Sequence, residues 1–464
     1  MGRVSTLEEM SLPHPVIVVP GITATYLTDY YRLPPEHVWS PGRSVGARIG
    51  MTGHFPRLSL HPFDPRYEAN EPARIAANHV YSLVYGQLID ELRGNLASDQ
   101  RDVPVYPFAY DWRRPLDKIA DQLADFIEEV IDRTRLMVRT HPEYEQCDRV
   151  NLVGHSMGGL IIAGYLANCR DGRTHVNRIV TIASPFQGSY EAIAKVTTGT
   201  ATEGGSVQVS RERKNARVTP SLYYLLPSFR NALTLEEPLV WEEQFGVLRD
   251  RTWFNPDVWQ SSIRNSIERY VEEHRPHHDT GESTQWLFQA MLDSARSYRT
   301  RIDRLRLDNV GMTTQDWLCV VGVNARTRVA LSVALVDRRP VFRLRGRDRK
   351  NSWSQGVALE RRETGDETVP FDGAVPRFLD YGSLVCVTPE DFGYWEVGDR
   401  AGVRVIGFHG LMPNMNMLHR MVVRHISGQE DRYGNTWGRP PPGVSNGDWR
   451  PPLRLRHKND WVEH

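Results

Sequence analysis

The fold is decided by the stretch Val150-Asn-Leu-Val-Gly154-His155-Ser156-Met157-Gly158-Gly159-Leu160. It runs from an apolar strand-like segment through Gly-x-Ser-x-Gly into a helix-like segment of small and apolar residues. This context predicts a nucleophile elbow, a sharp turn that lifts a serine hydroxyl clear of a sheet. The glycines fit a strained turn between closely packed backbones. A glycine-rich turn with an ordinary surface serine is the alternative, so catalysis requires partner residues elsewhere.

The composition excludes several classes of protein. The 464 residues include 57 basic and 57 acidic side chains, so the formal charge is zero. This balance indicates no nucleic-acid partner and no polybasic membrane anchor, and any membrane contact should be peripheral. The length fits one large domain or roughly two to three smaller ones, and the oligomeric state stays open. The scattered cysteines are expected to be buried free thiols: Cys147, Cys169, Cys319 and Cys386.

The N-terminal residues Met1–Met10 contain no apolar segment typical of a signal peptide. No stretch reaches the roughly 18 consecutive apolar residues that a membrane-spanning helix needs. The sequence as given therefore predicts a cytoplasmic protein, with a secreted mature form as the alternative.

Strand-like and helix-like segments alternate along the first part of the chain. Short apolar runs predict strands, whereas apolar residues at 3.6-residue spacing predict amphipathic helices. The alternation predicts an α/β fold, with a mostly parallel sheet covered by helices on both faces. The predicted strands are 15–19, 103–106, 150–153, 176–182, 317–323 and 403–408, and the predicted helices are 80–96, 119–138, 160–168 and 415–426.

The alternation is interrupted between Gln187 and Asp316. No strong apolar strand occurs over these ~130 residues, against roughly two to six residues in an ordinary connection. We interpret the span as a cap inserted over the sheet, whose aromatic residues either favour an apolar or aromatic substrate or form the cap's own core. The predicted divisions are 1–189 (first part of the core, with an irregular excursion over 22–75), 190–316 (cap), 317–427 (second part of the core) and 428–464 (C-terminal surface tail).

A reactive serine needs a base that takes its proton and a carboxylate that orients this base. On an α/β sheet with a nucleophile elbow, the partners follow in the order serine, acid, histidine. Asp366 is the candidate acid, because the preceding glycine permits a tight turn from which the carboxylate projects. Glu367 is the near alternative, and Asp391 and Asp399 are weaker ones.

His409 is the candidate base. It follows the predicted strand 403–408 and should face the edge of the sheet where catalytic loops gather. His419 and His425 lie in the next predicted helix and should point elsewhere. Four further residues have metal-binding side chains, but their irregular spacing indicates a solvated loop rather than a metal site. They are His274, His277, His278 and Asp279.

Backbone amides are the expected donors to the oxyanion. One should belong to Met157, which follows the candidate nucleophile. The other should come from the loop after the first strand, where Ile22 follows Gly21. Each such N–H group typically stabilises the transition state by about 3 kcal/mol.

Short motifs along the chain carry a family resemblance. They are Pro15-Val-Ile-Val-Val-Pro-Gly21, Tyr110-Asp-Trp-Arg113, Gly154-His-Ser-Met-Gly158, Ala183-Ser-Pro-Phe-Gln-Gly-Ser189, Leu225-Leu-Pro-Ser228, Val321-Gly-Val-Asn324, Gly365-Asp-Glu-Thr-Val369 and His409. In this order they resemble the lecithin:cholesterol acyltransferase family, which includes lysosomal phospholipase A2 and phospholipid:diacylglycerol acyltransferase. The ordered set covers nearly the whole chain.

The resemblance implies an α/β-hydrolase fold, to which the interruption described above adds a large inserted cap. It implies Ser156 as nucleophile, Asp366 as acid and His409 as base, with Ile22 and Met157 as oxyanion donors. We therefore expect a serine hydrolase of the lipase, esterase or phospholipase type. It would cleave an ester or lipid-like small molecule through an acyl-enzyme, without a cofactor or metal. One alternative is an acyltransferase that moves an acyl group from a lipid to an alcohol. Another is a non-catalytic binding module, which has no need for a complete triad.

The sequence departs from the family in two places. The family's small membrane-binding subdomain after the first strand is held by a disulfide, whereas this chain has no cysteine before Cys147. The span between Ser189 and Asp316 is similar to the family only around Leu225–Ser228. The substrate class therefore does not follow from the resemblance.

Overall fold

The computed structural model describes residues 14–30, 33–40, 75–97, 102–169, 174–199, 213–246, 251–274, 285–344, 364–393, 396, 398 and 406–457. Within them the strands are β1 (Val16–Val19), β2 (Thr25–Asp29), β3 (Glu36–Trp39), β4 (Ile75–Val80), β5 (Val105–Pro107), β6 (Val150–His155), β7 (Val176–Ile182), β8 (Thr234–Leu235), β9 (Trp317–Gly322), β10 (Leu331–Val336), β11 (Arg339–Leu344), β12 (Val385–Val387), β13 (Trp437–Gly438) and β14 (Arg456–His457). The helices used below are α1 (Ser82–Leu96), α2 (Leu116–Arg135), α3 (Met157–Asn168), α4 (Tyr190–Thr198), α5 (Pro220–Tyr223), α6 (Pro238–Phe245), α7 (Ser261–His274), α8 (Gln285–Asp303), α9 (Phe371–Ala374), α10 (Phe408–Leu411) and α11 (Asn416–Ser427).

A six-stranded parallel sheet forms the centre of the molecule, in the order β12-β9-β7-β6-β1-β5. Parallel sheets are covered on both faces, so their strands are apolar nearly throughout. Every residue of β1, β6 and β9 is accordingly buried. Because the carboxyl ends of parallel strands share one edge, the turns after β1 and β6 lie together. The architecture confirms the predicted α/β-hydrolase fold.

Helix α3 supports the turn at Ser156 and is enclosed by its neighbours. Its residues from Met157 to Leu166 are all buried, and it packs against α2 and α8. Gly164 permits close contact with α8, since a Cβ there would overlap the Tyr298 hydroxyl. That hydroxyl donates to the Leu160 carbonyl at 2.8 Å. The helix behind the turn is therefore fixed from several sides.

Five of the six predicted strands are present in the central sheet, as β1, β5, β6, β7 and β9. The predicted strand 403–408 is wrong in its described part, because α10 begins at Phe408; residues 401–405 lie outside the described residues. Gly407 adopts a φ of 92°, and the Glu367 carboxylate accepts the Phe408 N–H at 2.8 Å. These two features turn the chain into a helix. The edge strand next to β9 is instead β12.

Two regions contain strands that the sequence did not indicate. The excursion over 22–75 is not wholly irregular, because β2 and β3 lie within it and form an antiparallel sheet with β4. Strand β8, in the predicted cap, pairs with β10, which forms a hairpin with β11; both of these strands lie in the predicted second part of the core. The hairpin turn contains Asp337 and Arg338, both at positive φ. This small sheet therefore draws its strands from both sides of β9.

The C-terminal segment covers the β12 edge of the central sheet. Arg439 and Cys386 exchange backbone hydrogen bonds at 2.8 and 3.2 Å. The buried Trp449 indole donates to the Leu384 carbonyl at 2.8 Å. A buried ion pair joins Arg439 to Asp391, so this weaker candidate for the catalytic acid is engaged with the tail. Covering an edge strand in this way blocks its pairing with other chains.

Cap aromatic residues pack against one another. The Trp259 ring lies 5.6 Å from Phe288, 5.6 Å from Phe342 and 6.0 Å from Trp253, measured between centroids. The Trp253 indole N–H donates to the Ala232 carbonyl at 2.9 Å, so its polar atom is satisfied. These rings are core residues, which agrees with the second of the two interpretations, but Phe342 belongs to β11, outside the predicted cap range 190–316. The Trp286 side chain lies outside the described residues.

The described residues contain neither a helix suited to a membrane nor a disulfide bond. No helix among them is both long enough and apolar enough to cross a bilayer. The four cysteines are free thiols, as predicted, although Cys169 is only half-buried. Burial raises the pKa of Cys319 to about 12, so this thiol stays protonated at neutral pH.

Removing the buried Trp259 ring should destabilise the protein. We expect Trp259→Ala to lower the free energy of unfolding by about 3–5 kcal/mol, because it leaves a cavity among buried aromatic rings. Chemical unfolding followed by circular dichroism measures this change. The control is Leu239→Ala, which truncates an 80% exposed side chain of α6 and should change stability by less than about 0.5 kcal/mol. Equal effects of the two substitutions would contradict the prediction.

Candidate active site

Ser156 occupies the turn between β6 and α3 in a strained conformation. Its φ is 53° and its ψ is −125°, outside the regions that serine usually adopts. The Ser156 N–H donates to the Ile182 carbonyl at 2.9 Å, which ties the turn to β7. Gly158 permits the close approach of α3 to β1, since a Cβ there would overlap the Val19 carbonyl. The turn therefore has the geometry that the sequence predicts.

The structure brings Ser156, His409 and Asp366 into one chain of hydrogen bonds. The distance from Ser156 Oγ to His409 Nε2 is 3.0 Å, and that from His409 Nδ1 to Asp366 Oδ2 is 2.8 Å. A carboxylate can only accept, so Nδ1 carries the proton and Nε2 is free to accept from the serine hydroxyl. The arrangement can therefore move a proton from Ser156 to His409.

Backbone hydrogen bonds hold the Asp366 carboxylate in place, in addition to its contact with the imidazole. Its Oδ1 accepts the Thr368 and Val369 N–H groups at 3.0 and 2.6 Å, which leaves Oδ2 for His409. The carboxylate lies over the end of β9, where a Cβ on Gly322 would come within 2.6 Å of the Asp366 Cβ. Glycine at the end of β9 thus makes room for the acid. The side chain is 1% exposed, so its orientation is fixed by protein contacts.

Glu367, the alternative candidate for the catalytic acid, does not face the imidazole of His409. Its carboxylate accepts the Phe408 N–H at the start of α10, while the Asp366 carbonyl accepts the His409 N–H at 3.1 Å. Glu367 therefore holds the backbone at Phe408, whereas Asp366 binds both the backbone N–H and the ring of His409. Of the two, Asp366 faces the imidazole. Asp399, the other weak candidate, lies outside the described residues.

Both predicted oxyanion donors belong to segments next to Ser156: Met157 follows it in sequence, and Ile22 belongs to a loop that lies against it. Met157 is the first residue of α3, and the first N–H groups of a helix have no acceptor within that helix. Ile22 follows Gly21, whose backbone lies against the serine: a Cβ on Gly21 would be 2.9 Å from Ser156 Cβ and 3.4 Å from its Oγ. The loop after β1 is therefore close enough to contribute to the site.

Several side chains anchor the loop after β1. The Tyr110 hydroxyl donates to the Pro20 carbonyl at 2.7 Å, and Thr25 Oγ1 donates to the Tyr110 carbonyl at 2.8 Å. The Trp39 indole donates to the Thr23 carbonyl at 2.8 Å. Tyr110 belongs to one of the motifs quoted from the sequence, which gives that motif a structural role beside the candidate site.

Two nearby residues, Tyr85 and His155, were not predicted as parts of the site. The Tyr85 hydroxyl lies 2.8 Å from His155 Nδ1, and the His155 ring lies 5.1 Å from that of His409 between centroids. Burial, with a smaller contribution from His409, lowers the pKa of His155 to about 3, so His155 is neutral at pH 7. Its place beside the serine in Gly-His-Ser was the available signal, but the spacing does not reveal Tyr85.

The remaining histidine candidates behave as expected in the described residues. His419 Nε2 lies 2.6 Å from the Pro413 carbonyl, and His425 Nε2 lies 3.3 Å from the Asp316 carbonyl. Burial lowers the pKa of both, for His425 to about 4. In the part of the chain that the structure describes, no group of three or more His, Cys, Asp or Glu side chains is arranged to hold a metal. His277, His278 and Asp279 lie outside it, as does the side chain of His274.

The fold defines the class of protein as an α/β hydrolase. A solved structure described as the Tle4–Tli4 complex matches 90% of this chain and 99% of its own, with a TM-score of 0.61 and 15% identity. At that identity the likeness shows the fold alone. The lin2722 gene product of Listeria innocua matches 48% of this chain and 70% of its own, with 14% identity. Its TM-score of 0.19 is too low to support an argument.

Residues 75–267 match the model of the lecithin:cholesterol acyltransferase family. This match confirms the resemblance to that family that the motifs indicate, over residues 75–267 of the chain. The matched range includes Ser156 and ends before Asp366 and His409. Comparison with curated protein sequences yields no match. Family and fold together support an enzyme that hydrolyses esters or transfers acyl groups.

A side chain on Gly21 should disturb the reactive serine. We expect Gly21→Ala to slow the labelling of Ser156 by a fluorophosphonate at least about tenfold, because the new methyl group must displace the loop or the serine. The control is Gly86→Ala in α1, where the nearest atom to the added Cβ is 3.8 Å away. Gel-based labelling rates measure both variants. Equal rates for Gly21→Ala and the wild type would show that the loop does not constrain Ser156.

Proposed function

We propose that this protein is a serine hydrolase that cleaves carboxylic esters of lipid-like substrates through an acyl-enzyme. The observation that carries the proposal is the hydrogen-bonded chain from Ser156 Oγ through His409 to Asp366. A buried carboxylate, a correctly oriented imidazole and a strained serine at the edge of the sheet form the arrangement that activates a hydroxyl nucleophile. The family match supports a lipid-like substrate.

In the first half-reaction, Ser156 Oγ attacks the ester carbonyl carbon while its proton moves to His409 Nε2. The carbonyl oxygen becomes an oxyanion, which the N–H groups of Ile22 and Met157 stabilise. Asp366 keeps the proton on Nδ1 and stabilises the imidazolium that forms. His409 then passes its new proton to the leaving alcohol oxygen as the ester C–O bond breaks. The product of this half-reaction is an ester of Ser156.

In the second half-reaction, water attacks the acyl carbon and gives one proton to His409 Nε2. The bond between Ser156 Oγ and the acyl carbon breaks, and the proton returns to the serine oxygen. The released product is the free carboxylic acid. Each proton that leaves an attacking oxygen is thus delivered to a leaving oxygen, so no cofactor is required.

An acyltransferase is the second candidate, favoured by the family whose model matches residues 75–267. The chemistry is the same until the acyl-enzyme, after which an alcohol rather than water attacks. A non-catalytic binding module is disfavoured, because binding alone requires neither the oriented imidazole nor the buried carboxylate behind it.

Each member of the proposed triad should be required for activity. We expect Ser156→Ala, His409→Ala and Asp366→Asn each to lower kcat on p-nitrophenyl esters by about 10⁴-fold or more. The control is His175→Ala, which removes a half-exposed imidazole at the opposite end of β7 and should leave kcat unchanged. Fluorophosphonate labelling that survives Ser156→Ala would contradict the assignment of the nucleophile.

The acceptor can be identified from the products of a labelled ester, with and without an added alcohol. The hydrolase proposal predicts that free acid remains the main product in both cases. A new ester that replaces the free acid when the alcohol is present would contradict it and support the acyltransferase. Chromatography of the labelled products measures the ratio, and Ser156→Ala provides the background.

A further inference from the structure

A buried chain of hydrogen bonds joins three separate segments of the candidate site. The Gly21 N–H donates to the Tyr85 hydroxyl at 2.8 Å, and this hydroxyl lies 2.8 Å from His155 Nδ1. On the other side of the ring, His155 Nε2 lies 3.0 Å from the carbonyl oxygen of His409. The chain thus connects the loop after β1, the residue before the nucleophile and the backbone of the base.

The direction of every hydrogen bond in this chain is determined by its ends. The His409 carbonyl can only accept, so His155 Nε2 carries a proton. The backbone N–H of Gly21 can only donate, so the Tyr85 oxygen accepts it and directs its own hydrogen to His155 Nδ1. Every donor therefore has an acceptor when His155 is neutral. A proton added at Nδ1 would meet the hydroxyl hydrogen and break the pattern.

The groups of the chain are shielded from water, which makes their pairing important. Tyr85 is 1% exposed and His155 is 5% exposed. Burial raises the pKa of Tyr85 and lowers that of His155, and both shifts favour the neutral forms that the hydrogen bonds require. A buried polar group that loses its partner costs about 1–3 kcal/mol. The chain of hydrogen bonds is therefore expected to keep one pattern of donors and acceptors.

Hydrogen bonds also hold the backbone next to the candidate oxyanion amide of Ile22. The Gly21 carbonyl accepts the Ala24 N–H at 3.4 Å within the turn. In a trans peptide the N–H points opposite to the carbonyl, so the Ile22 N–H is directed away from this turn. The Gly21 N–H, which belongs to the preceding peptide, is bound by Tyr85, so the backbone on both sides of the Gly21 Cα is held beside Ser156.

We propose that Tyr85 and His155 are positioning residues for catalysis. They fix the backbone at Gly21, directly before the peptide that presents the Ile22 N–H, and the backbone that carries His409, so that both are preorganised around Ser156. The proposal rests on the proposed function, since it concerns the efficiency of the same reaction. Neither residue contacts the reacting atoms, and neither exchanges a proton with them. Tyr85 lies outside the quoted motifs, on a helix that follows the excursion.

Tyr85→Phe tests the proposal, because it removes one oxygen and leaves the ring in place. We expect kcat on a p-nitrophenyl ester to fall at least about tenfold, with KM within about twofold, since displacement of a preorganised donor acts on the transition state. The inhibition constant of an alkyl boronic acid, which forms a tetrahedral adduct with the serine, should rise by a similar factor. Thermal unfolding monitors the folded state of each preparation.

The matched control is Tyr165→Phe. Tyr165 is also a buried tyrosine, on α3, and its hydroxyl lies 3.4 Å from Thr174 Oγ1, near the end of that helix remote from Ser156. We expect its kcat and boronic acid affinity to match those of the wild type. A similar loss of kcat in both variants would overturn the proposal, because the effect would then reflect general destabilisation.

Two further outcomes separate this proposal from the proposed function. Wild-type kcat and boronic acid affinity in Tyr85→Phe would overturn the positioning role, while activity that requires Ser156 would leave the proposed function intact. A wild type that neither hydrolyses esters nor binds the boronic acid would overturn both.

A rise in KM with unchanged kcat in Tyr85→Phe would also contradict positioning, because the hydroxyl would then act on substrate binding alone.

Discussion

The backbone of Ser156, held at a φ of 53° between β6 and α3, is the constraint on which the rest of the site depends. A residue in such a conformation typically costs about 1–3 kcal/mol, so the surrounding structure has to stabilise it. Here β6 is an interior strand of the parallel sheet, and α3 is enclosed by α2 and α8. The close approach of α3 to β1 at Gly158, where a Cβ would overlap the Val19 carbonyl, holds the helix directly behind Ser156.

The other functional groups reach Ser156 because parallel strands end at the same edge. The loop after β1 lies against the serine at Gly21, and Asp366 lies over the end of β9 at Gly322. In both cases glycine removes the Cβ that would prevent the contact. His409 lies on the short helix α10. Asp366 and Glu367 accept hydrogen bonds from the first N–H groups of this helix. The site is thus assembled from backbone contacts as much as from side chains.

Much of this arrangement could be predicted from the sequence because its signals are local. The apolar runs of β1, β6, β7 and β9 and the glycines around Ser156 predict the central sheet and its turn. The strand expected before His409 was wrong, because the apolar run around residues 403–408 gives no indication of the turn at Gly407. Strand β12 is only three residues long, too short for a periodic signal. The hairpin of β10 and β11 turns through Asp337 and Arg338, a pair that lacks the glycine typical of such turns.

The hydrogen bonds around Tyr85 could not be predicted from sequence patterns. Tyr85 and His155 are 70 positions apart, and His155 and His409 are 254 apart. Nothing in their spacing indicates that they share hydrogen bonds. Their roles follow only from the pairing of buried donors and acceptors, which becomes visible once the sheet has brought the segments together.

Trapping of the acyl-enzyme tests the central claim most directly. The protein would be mixed with a p-nitrophenyl ester, quenched in acid within the first turnover, and analysed by intact mass and peptide mapping. The account predicts one added acyl group, located on the peptide that contains Ser156 and absent from Ser156→Ala. An acyl group on another residue, or ester turnover that is unchanged in Ser156→Ala, would contradict it.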